Sequence, residues 1–503
     1  MHPNEKSAPR PPPTASPARD GRAQFALGRR ELLEALLAVP LLACRTTASS
    51  PAPLTLPPLS ADALLADLER RAFDFFWETT DPATGLTLDR WPTPSFSSIA
   101  AVGFGLTAYV VGVERGFITR DQARARALAT IRFFHDAPQG AAATGITGYK
   151  GFYYHFLDVK TGTRYRDCEL STIDTTLLLA GMLHCQVFFN GTDADEALIR
   201  SLVDEIYARI DWNWFQVRAP LVAMGWTPEQ GHNSYDWQGY NEASLLYLLA
   251  IGSPTHPVGA DAWAAWTSSY DRISPRSGWV TEYGQTYLRF PPLFGHQFTQ
   301  CWVDMRGMAD AYMKGKGIDY FENSRRATYA QQGYAVANPE GWAGYGRDVW
   351  GITACDGPGD FTRTFNGKLR KFIGYSGRGE GGAINYDDGT IAPYGAGSSI
   401  TFAPEIVLPA LAAMYERYGR AIYGRYGFYA FNQSFTFTDV PITAGNLVPG
   451  LGWVDGDYLG IELGPLLAMI ANHRSEIVWK SMRQHPAIKS GLQRAGFTGG
   501  WLG

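Results

Sequence analysis

Cysteine is scarce in this 503-residue chain: there are five, and none stands in a CxxC pair. A zinc cluster is therefore not expected. Cys185 and Cys301 fall inside apolar helical patterns and read as small buried hydrophobes. A disulfide among Cys168, Cys185, Cys301 and Cys355 stays open. Excess charge of one sign is also missing, with 44 basic against 48 acidic residues and a net charge of -4. No basic block is interleaved with aromatics, so no nucleic-acid partner is expected. The chain carries no GxSxG elbow, no P-loop and no HExxH. It lacks a Pro/Ser linker after residue 60, which favours one catalytic domain over 60–503. A fixed-period repeat is missing too, which argues against a solenoid.

What is present is ample apolar material, 45% of residues, with 18% charged. That is an ordinary globular balance. Aromatics reach 14%, including 15 Trp and 26 Tyr. Such rings fill cores and also stack on the apolar faces of sugars. Residues 1–44 read as an export signal: a Pro- and Arg-rich start, the pair Arg29-Arg30, then an apolar run too short to span a bilayer. The paired arginines resemble a twin-arginine signal. Leu41-Leu42-Ala43-Cys44 resembles a lipobox, which makes Cys44 a lipidation candidate. Residues 45–59 read as a flexible tether.

From Ser60 onward the dominant signal is helical. Ser60 to Trp77 places Leu64, Leu65, Leu68, Ala72, Phe75 and Phe76 on one face, with Ser60 as N-cap. Ser97 to Val113 carries no charge. Thr119 to Phe134 is amphipathic, with Thr119 and Gln122 spaced as a capping box. Ser171 to Phe189 is apolar nearly all round, Asp193 to Ile210 is amphipathic, and Trp237 to Ile251 is again mostly apolar. A helix that is apolar all round must be covered on every side, and an amphipathic one can do the covering. The alternation predicts an all-α fold with two concentric rings, an (α/α)6 toroid; an up-down bundle is the alternative. Later segments continue the pattern: Asp261 to Tyr270, Thr299 to Met313, Tyr320 to Val336, Ala403 to Tyr418 and Gly464 to Lys480. Two long aperiodic stretches, 212–236 and 339–393, are too aromatic to be disordered and read as functional loops.

In such a ring the inner helices run parallel, so their N-terminal ends open on one face. Asp174 lies in the first turn of one apolar helix and Glu242 near the start of the next. Pro404 fits a first helical position with Glu405 beside it, and Glu462 shortly precedes the helix start at Gly464-Pro465. Asp387-Asp388-Gly389 falls in the loop that should overhang the same face. Paired carboxyl groups in opposite protonation states are what glycoside hydrolysis needs, one to protonate the leaving oxygen and one to activate water. Acids near helix N-termini are also favoured by the dipole alone. Glu242, set among Trp237, Gln238, Tyr240 and Asn241, is the hardest to read as a mere cap. His184 reads as a core histidine, Arg306 with Asp304 or Asp310 as a helix ion pair, and His296 and Gln297 as equally suited to structure or to sugar hydroxyls.

The motifs Glu169-Leu-Ser-Thr-Ile-Asp174, Tyr240-Asn-Glu-Ala-Ser244, Gly252-Ser-Pro-Thr-His256, Phe294-Gly-His-Gln297, Trp302-Val-Asp-Met-Arg306, Trp350-Gly-Ile-Thr-Ala354, Asp387-Asp-Gly-Thr390 and Phe402-Ala-Pro-Glu405 resemble the bacterial glucoamylase-like (glycoamylase) family. The resemblance runs from about Leu64 to Leu502. It implies an inverting endo-β-1,2-glucanase on an (α/α)6 toroid and a periplasmic or surface glucan substrate; a cluster of acids around an aromatic-lined mouth meets that chemistry with no metal and no cofactor. It further implies Glu242 as the proton donor. The base stays open among Glu462, Asp174, Asp388 and Glu169. The family's pattern has Asp-Gln-Gly-Pro where this chain has Glu462-Leu463-Gly464-Pro465, and the longer side chain moves the carboxylate. Glu169, Trp237, Tyr240, Asn241, His296, Gln297, Trp350 and Trp453 are the candidate substrate-binding residues. A glycan-binding lipoprotein without catalysis and a polysaccharide lyase are the competing readings, and the chain is read as a monomer. If Cys44 is the anchor, a fatty-acid label supplied to cells will enter the wild-type protein. Cys44→Ser will lose both the label and the membrane fraction; equal labelling of the variant would remove the anchor.

Overall fold

The computed structural model describes residues 53–272, 278–380 and 387–503. Arg29, Arg30 and Cys44 lie outside the described residues. Ser60 opens α1 (Ala61–Thr79), its hydroxyl accepting from the Ala63 amide at 3.2 Å. There follow α2 (Ile99–Glu114), α3 (Arg120–Asp136), α4 (Thr172–Phe188), α5 (Ala194–Ala208), α6 (Ser244–Gly252), α7 (Asp261–Thr267) and α8 (Phe294–Trp302). The remainder are α9 (Ala311–Lys316), α10 (Tyr320–Ala337), α11 (Pro393–Gly397), α12 (Pro404–Ile422), α13 (Gly460–Ser475), α14 (Ile477–Met482) and α15 (Pro486–Arg494). The capping box forms as spaced: Thr119 accepts from the Gln122 amide, and the Gln122 side chain accepts from the Thr119 amide.

The alternation read from sequence is visible in burial. Helices α2, α4, α6 and α13 are buried on nearly every side, whereas α1, α3 and α5 bury one stripe. Helix α2 packs on α4, α4 on α6, and α13 on both α8 and α2, so the last apolar helix returns to the first. Helix α3 lies on α5. The α2–α4 contact is close because glycines face each other. A Cβ on Gly181 would sit 2.0 Å from the Gly103 carbonyl oxygen, and one on Gly103 would sit 2.2 Å from that of Leu177. At the opposite ends of these helices, buried Glu69 of α1 takes Arg115 at 3.0 Å and also pairs with Arg474 of α13. That arrangement ties three helices through one carboxylate.

Several expectations need correction. The chain is not purely helical. The aperiodic stretches contain short antiparallel pairs, such as Phe361–Phe365 with Lys368–Phe372 and Gly225–Thr227 with Leu170–Ser171. The helix expected over 237–251 begins only at Ser244, because Gly239 adopts φ 79° and Asn241 accepts from the Ala243 amide in a tight turn. The helix expected over 299–313 breaks after Trp302. There Asp304 takes both the amide and the guanidinium of Arg306, and Gly307 turns the chain at φ 69°. The Arg306–Asp304 pair is therefore a turn ion pair rather than a helical one. Helix α13 starts at Gly460 and contains Pro465, whose missing amide removes one bond in the second turn. Of the tether, Leu54 and Leu56 are not free: Leu56 donates to the Glu416 carbonyl and Arg420 donates to that of Leu54, which fixes this strip on α12. Cys168, Cys185, Cys301 and Cys355 are all free thiols. His184 is buried, but neither ring nitrogen has a partner, and burial lowers it to about 3.

Three two-residue strands immediately precede apolar helices and pin their starts. Ser97–Ser98 pairs with Phe156–Leu157 ahead of α2, and Leu170–Ser171 pairs with Trp226 and Gly225 ahead of α4. Tyr458–Leu459 pairs with Arg90–Trp91 ahead of α13. Each pins a helix N-terminus to a loop, which fixes one end of the helical array.

The glycine contact gives a direct test. Replacing a helical glycine by alanine gains about 1 kcal/mol of propensity, but overpacking a closed backbone contact costs about 3 kcal/mol. Gly181→Ala is expected to lower the thermal midpoint of the purified protein in calorimetry. A midpoint at or above wild type would show that the α2–α4 contact can open at no cost.

Candidate active site

The pinned starts of α4 and α13 border a cavity of about 170 Å³. Ile173, Asp174 and Leu177 reach it from the start of α4, Phe294 and Phe298 from α8, and Ile461 and Glu462 from the first turn of α13. Glu242 enters from the turn two residues before α6, and His155, Ala354 and Tyr375 enter from loops. Asp174, Glu242 and Glu462, far apart in sequence, thus line one space. A larger groove of about 480 Å³, lined by Ala343, Gln433, Thr436, Thr438 and residues 447–452, holds no titratable side chain and so no acid–base chemistry.

The three carboxylates sit in unlike surroundings. One oxygen of Glu242 is buried without a hydrogen-bond partner. Burial, followed at a distance by the charge of Asp174, pushes its carboxyl up to about 7. Glu462 also has a buried oxygen without a partner, and burial alone holds its proton well above the usual range. Asp174 differs: its Oδ2 accepts from the Ser171 hydroxyl at 2.5 Å and faces His155 Nε2 at 3.4 Å. Burial still raises it, but the His155 charge and the Ser171 bond pull the other way. Helix N-termini favour anions by only about 0.3–1 kcal/mol each. Removing a carboxylate from water costs several kcal/mol, so burial wins wherever no cation stands by.

His155 was not found from the sequence. Its Nδ1 lies 2.9 Å from Glu169 Oε1, its Nε2 faces Asp174, and its ring stacks on Phe156 at 3.9 Å between centroids. The two carboxylates hold the imidazolium up to about 9, against a burial effect in the opposite direction. Burial draws Glu169 upward, but the His155 bond holds it below its ordinary value. Tyr375 was missed as well. It is half exposed at the cavity, with its ring 5.9 Å from the Arg90 guanidinium carbon. Arg90 in turn spans Asp89 and Asp356, at 3.1 and 2.8 Å.

Other sequence candidates lie elsewhere. Asp388 is fully buried, clamped by Arg378 at 2.9 and 3.0 Å and by the amides of Ile373 and Thr390. Every acceptor it has is engaged in holding its loop. Glu405 stands on the surface with Arg325 and Tyr329. Trp237 donates to the Thr172 hydroxyl, Tyr240 and His296 pack against each other in the core, and Asn241 closes its own turn. His296 is neutral, lowered by burial to about 3, and its Nε2 meets the Phe290 carbonyl. Gln297 donates to Gly395 and Ser399, Trp453 donates to the Ala444 carbonyl, and Trp350 is fully buried. None of these lines the cavity. The bonds of Trp237, Asn241, Gln297, Trp453 and Asp388 serve the frame that carries it, whereas Trp350 Nε1 and His296 Nδ1 are buried without a partner. Among the described residues, no group of three or more His, Cys, Asp or Glu is arranged to hold a metal ion.

A carboxyl that titrates near neutrality should be visible directly. A carboxylic C=O stretch that disappears as pH rises through about 7 is expected in difference infrared spectra and should be absent from Glu242→Gln. If the band survives in that variant, the assignment to Glu242 is wrong.

The sequence model of the Glycoamylase family, described as "Putative glucoamylase", matches residues 234–486. A crystal structure of the same description from Bacteroides uniformis is 29% identical, with a TM-score of 0.75, covering 89% of this chain and 100% of its own. An endo-β-1,2-glucanase from Chitinophaga pinensis, solved with sophorotriose and glucose, is 25% identical with a TM-score of 0.72 over 88% of this chain and 99% of its own. An exo-β-1,2-glucooligosaccharide sophorohydrolase (non-reducing end) from Parabacteroides distasonis is 26% identical over 464 residues, or 87% of this chain. The chain spans 58% of the length of that curated relative.

Proposed function

The chain belongs to the Glycoamylase family, and from that premise we propose that it is a glycoside hydrolase cleaving β-1,2-linked glucan with inversion at the anomeric carbon. The observation that carries this is the gathering of Asp174, Glu242 and Glu462 in one cavity with unlike partners. Glu242, held up to about 7, keeps a proton to give to the glycosidic oxygen as the C1–O bond breaks. A second carboxylate takes a proton from the water that attacks C1 from the opposite face, which turns a β-linkage into an α-product. Asp174, the carboxylate beside an imidazolium, is the best supplied with stabilising partners for that ionised state. The two similar β-1,2-glucan enzymes support the linkage. The succession of covered and covering helices, with α13 returning to α2, supports an (α/α)6 toroid. The twin-arginine-like pair and Cys44 support export to the periplasm with a lipid tether.

The competing readings fit less well. A lyase acting on uronates needs cationic side chains to neutralise the substrate carboxylate. This cavity is lined by three carboxyl groups and one imidazole already engaged by Asp174 and, from outside the cavity, by Glu169. A binding protein without catalysis has no use for buried carboxyl oxygens lacking partners, which cost stability wherever they occur.

Incubation with linkage-defined glucans, followed by proton NMR, is the decisive experiment. Sugar release from β-1,2-glucan is expected, with the α-anomer appearing first. Glu242→Gln should lower kcat by roughly 10²–10⁴-fold while oligosaccharide binding persists in calorimetry. No release from any α- or β-glucan would defeat the proposal, and a β-anomer appearing first would defeat inversion.

A further inference from the structure

We propose that His155 is a positioning residue, a fixed cation wedged between Glu169 and Asp174 that keeps Asp174 ionised inside the cavity. The inference rests on the hydrolase reading for its consequence, but its physical basis is independent of any substrate. Carboxylate oxygens only accept hydrogen bonds, and an imidazole donates from both nitrogens only when doubly protonated. Both nitrogens of His155 face carboxylates, Nδ1 at 2.9 Å from Glu169 and Nε2 at 3.4 Å from Asp174. A neutral ring would turn a lone pair onto one of them. The ring has little freedom to escape, because it lies nearly parallel on Phe156, at 20° and 3.9 Å. The strand Phe156–Leu157 that follows is paired to Ser97–Ser98 at the start of α2.

The surrounding charges point the same way. Asp89 also acts on His155, while its partner Arg90 is shared with Asp356. Arg164 stands beyond Glu169 but is engaged by Glu229 at 2.7 Å. Glu242 and Glu462 line the same cavity as the ring. Asp174 is the member of the cavity's three carboxyl groups that makes an ion pair. With that charge removed, burial would act on Asp174 against its Ser171 and backbone hydrogen bonds alone, closer to the state of Glu462, which burial raises with nothing against it. Glu169 is then the outer support of the relay: it orients the ring and raises its proton affinity without itself lining the cavity.

The test has an arm that needs no activity. In ¹⁵N-histidine-labelled protein, long-range ¹H–¹⁵N spectra report the protonation of each of the nine histidines, and His155→Gln assigns the signal by its loss. The His155 ring is expected to stay doubly protonated at neutral pH and to deprotonate near 9. Glu169→Gln, which keeps an acceptor but removes the charge, is expected to move that titration down by about one unit or more. A neutral ring at pH 7, or an unmoved titration in Glu169→Gln, would overturn the proposal. The second arm reads the consequence. In His155→Gln, the acid limb of kcat/KM should shift toward neutral pH and kcat should fall about tenfold or more, with Glu169→Gln intermediate. A superimposable acid limb would equally overturn it. If the wild type releases no sugar from any glucan, the hydrolase reading falls, and the NMR arm still decides the state of His155.

Discussion

Desolvation of carboxyl groups is the constraint on which the rest of this structure depends. A carboxylate removed from water loses several kcal/mol of hydration. Four helix N-termini around the cavity return only a fraction of that. The three acids therefore settle into different states according to what else is near. Glu462 and Glu242 have oxygens with no partner and respond by holding protons. Asp174 has a serine hydroxyl and an imidazolium, which oppose its burial. Chemical asymmetry follows from the partners of Asp174, of which His155 is the charged one and Ser171 the neutral one.

Holding such a cluster requires a frame that does not relax around it. If the helix ends could splay, water would enter, and the differences in proton affinity would shrink toward those of exposed side chains. The two-residue strands ahead of α2, α4 and α13 oppose that splaying where the acids sit. The facing glycines of α2 and α4 oppose it along the helices. Many polar groups near the cavity are occupied in the same task. Trp237 on Thr172 locks a loop to α4, Gln297 on Gly395 and Ser399 joins α8 to α11 and the turn after it, and Asp388 on Arg378 ties one loop segment to another.

The sequence made the frame legible where a periodic pattern decided the structure. The uncharged run ahead of Arg115 and the nearly apolar segment after Ser171 appear as helices, and the helix after Thr119 opens on the expected capping box. It was misleading where a single residue overrode the pattern. Gly239 and Asn241 stop the helix that apolar spacing carries back to Trp237, and Asp304 with Gly307 cuts the one expected to reach Met313. Asp174, Glu242 and Glu462 could be associated because each sits at a helix start, a feature read locally. Glu405 shares that feature and lies on the surface. Local position identifies which end of a helix an acid occupies, but it does not say whether that helix is buried on every side or on one stripe. The amphipathic stripe of α12, with Val407, Ala410, Leu411 and Met414 buried and charges opposite, carries that second piece of information.

The aromatic candidates fail for a related reason. Trp237, Tyr240, Trp350 and Trp453 read as sugar-binding in the sequence because indole and phenol rings suit both a sugar face and a protein core. Nothing in composition separates the two uses. Burial separates them, and all four are inside. Tyr375 is the ring left half in solvent at the cavity, and it sits in the long stretch without periodicity, where sequence patterns say least. His155 was invisible on the same grounds. It stands 14 residues before Glu169 in a loop, and the relay exists only because the 156–157 strand is drawn to the start of α2 while Leu170–Ser171 is drawn to Gly225 and Trp226. Two separate pairings bring one imidazole to two carboxylates. The residue that distinguishes the acids is thus specified by tertiary registration, whereas the acids themselves are specified by the helices they begin.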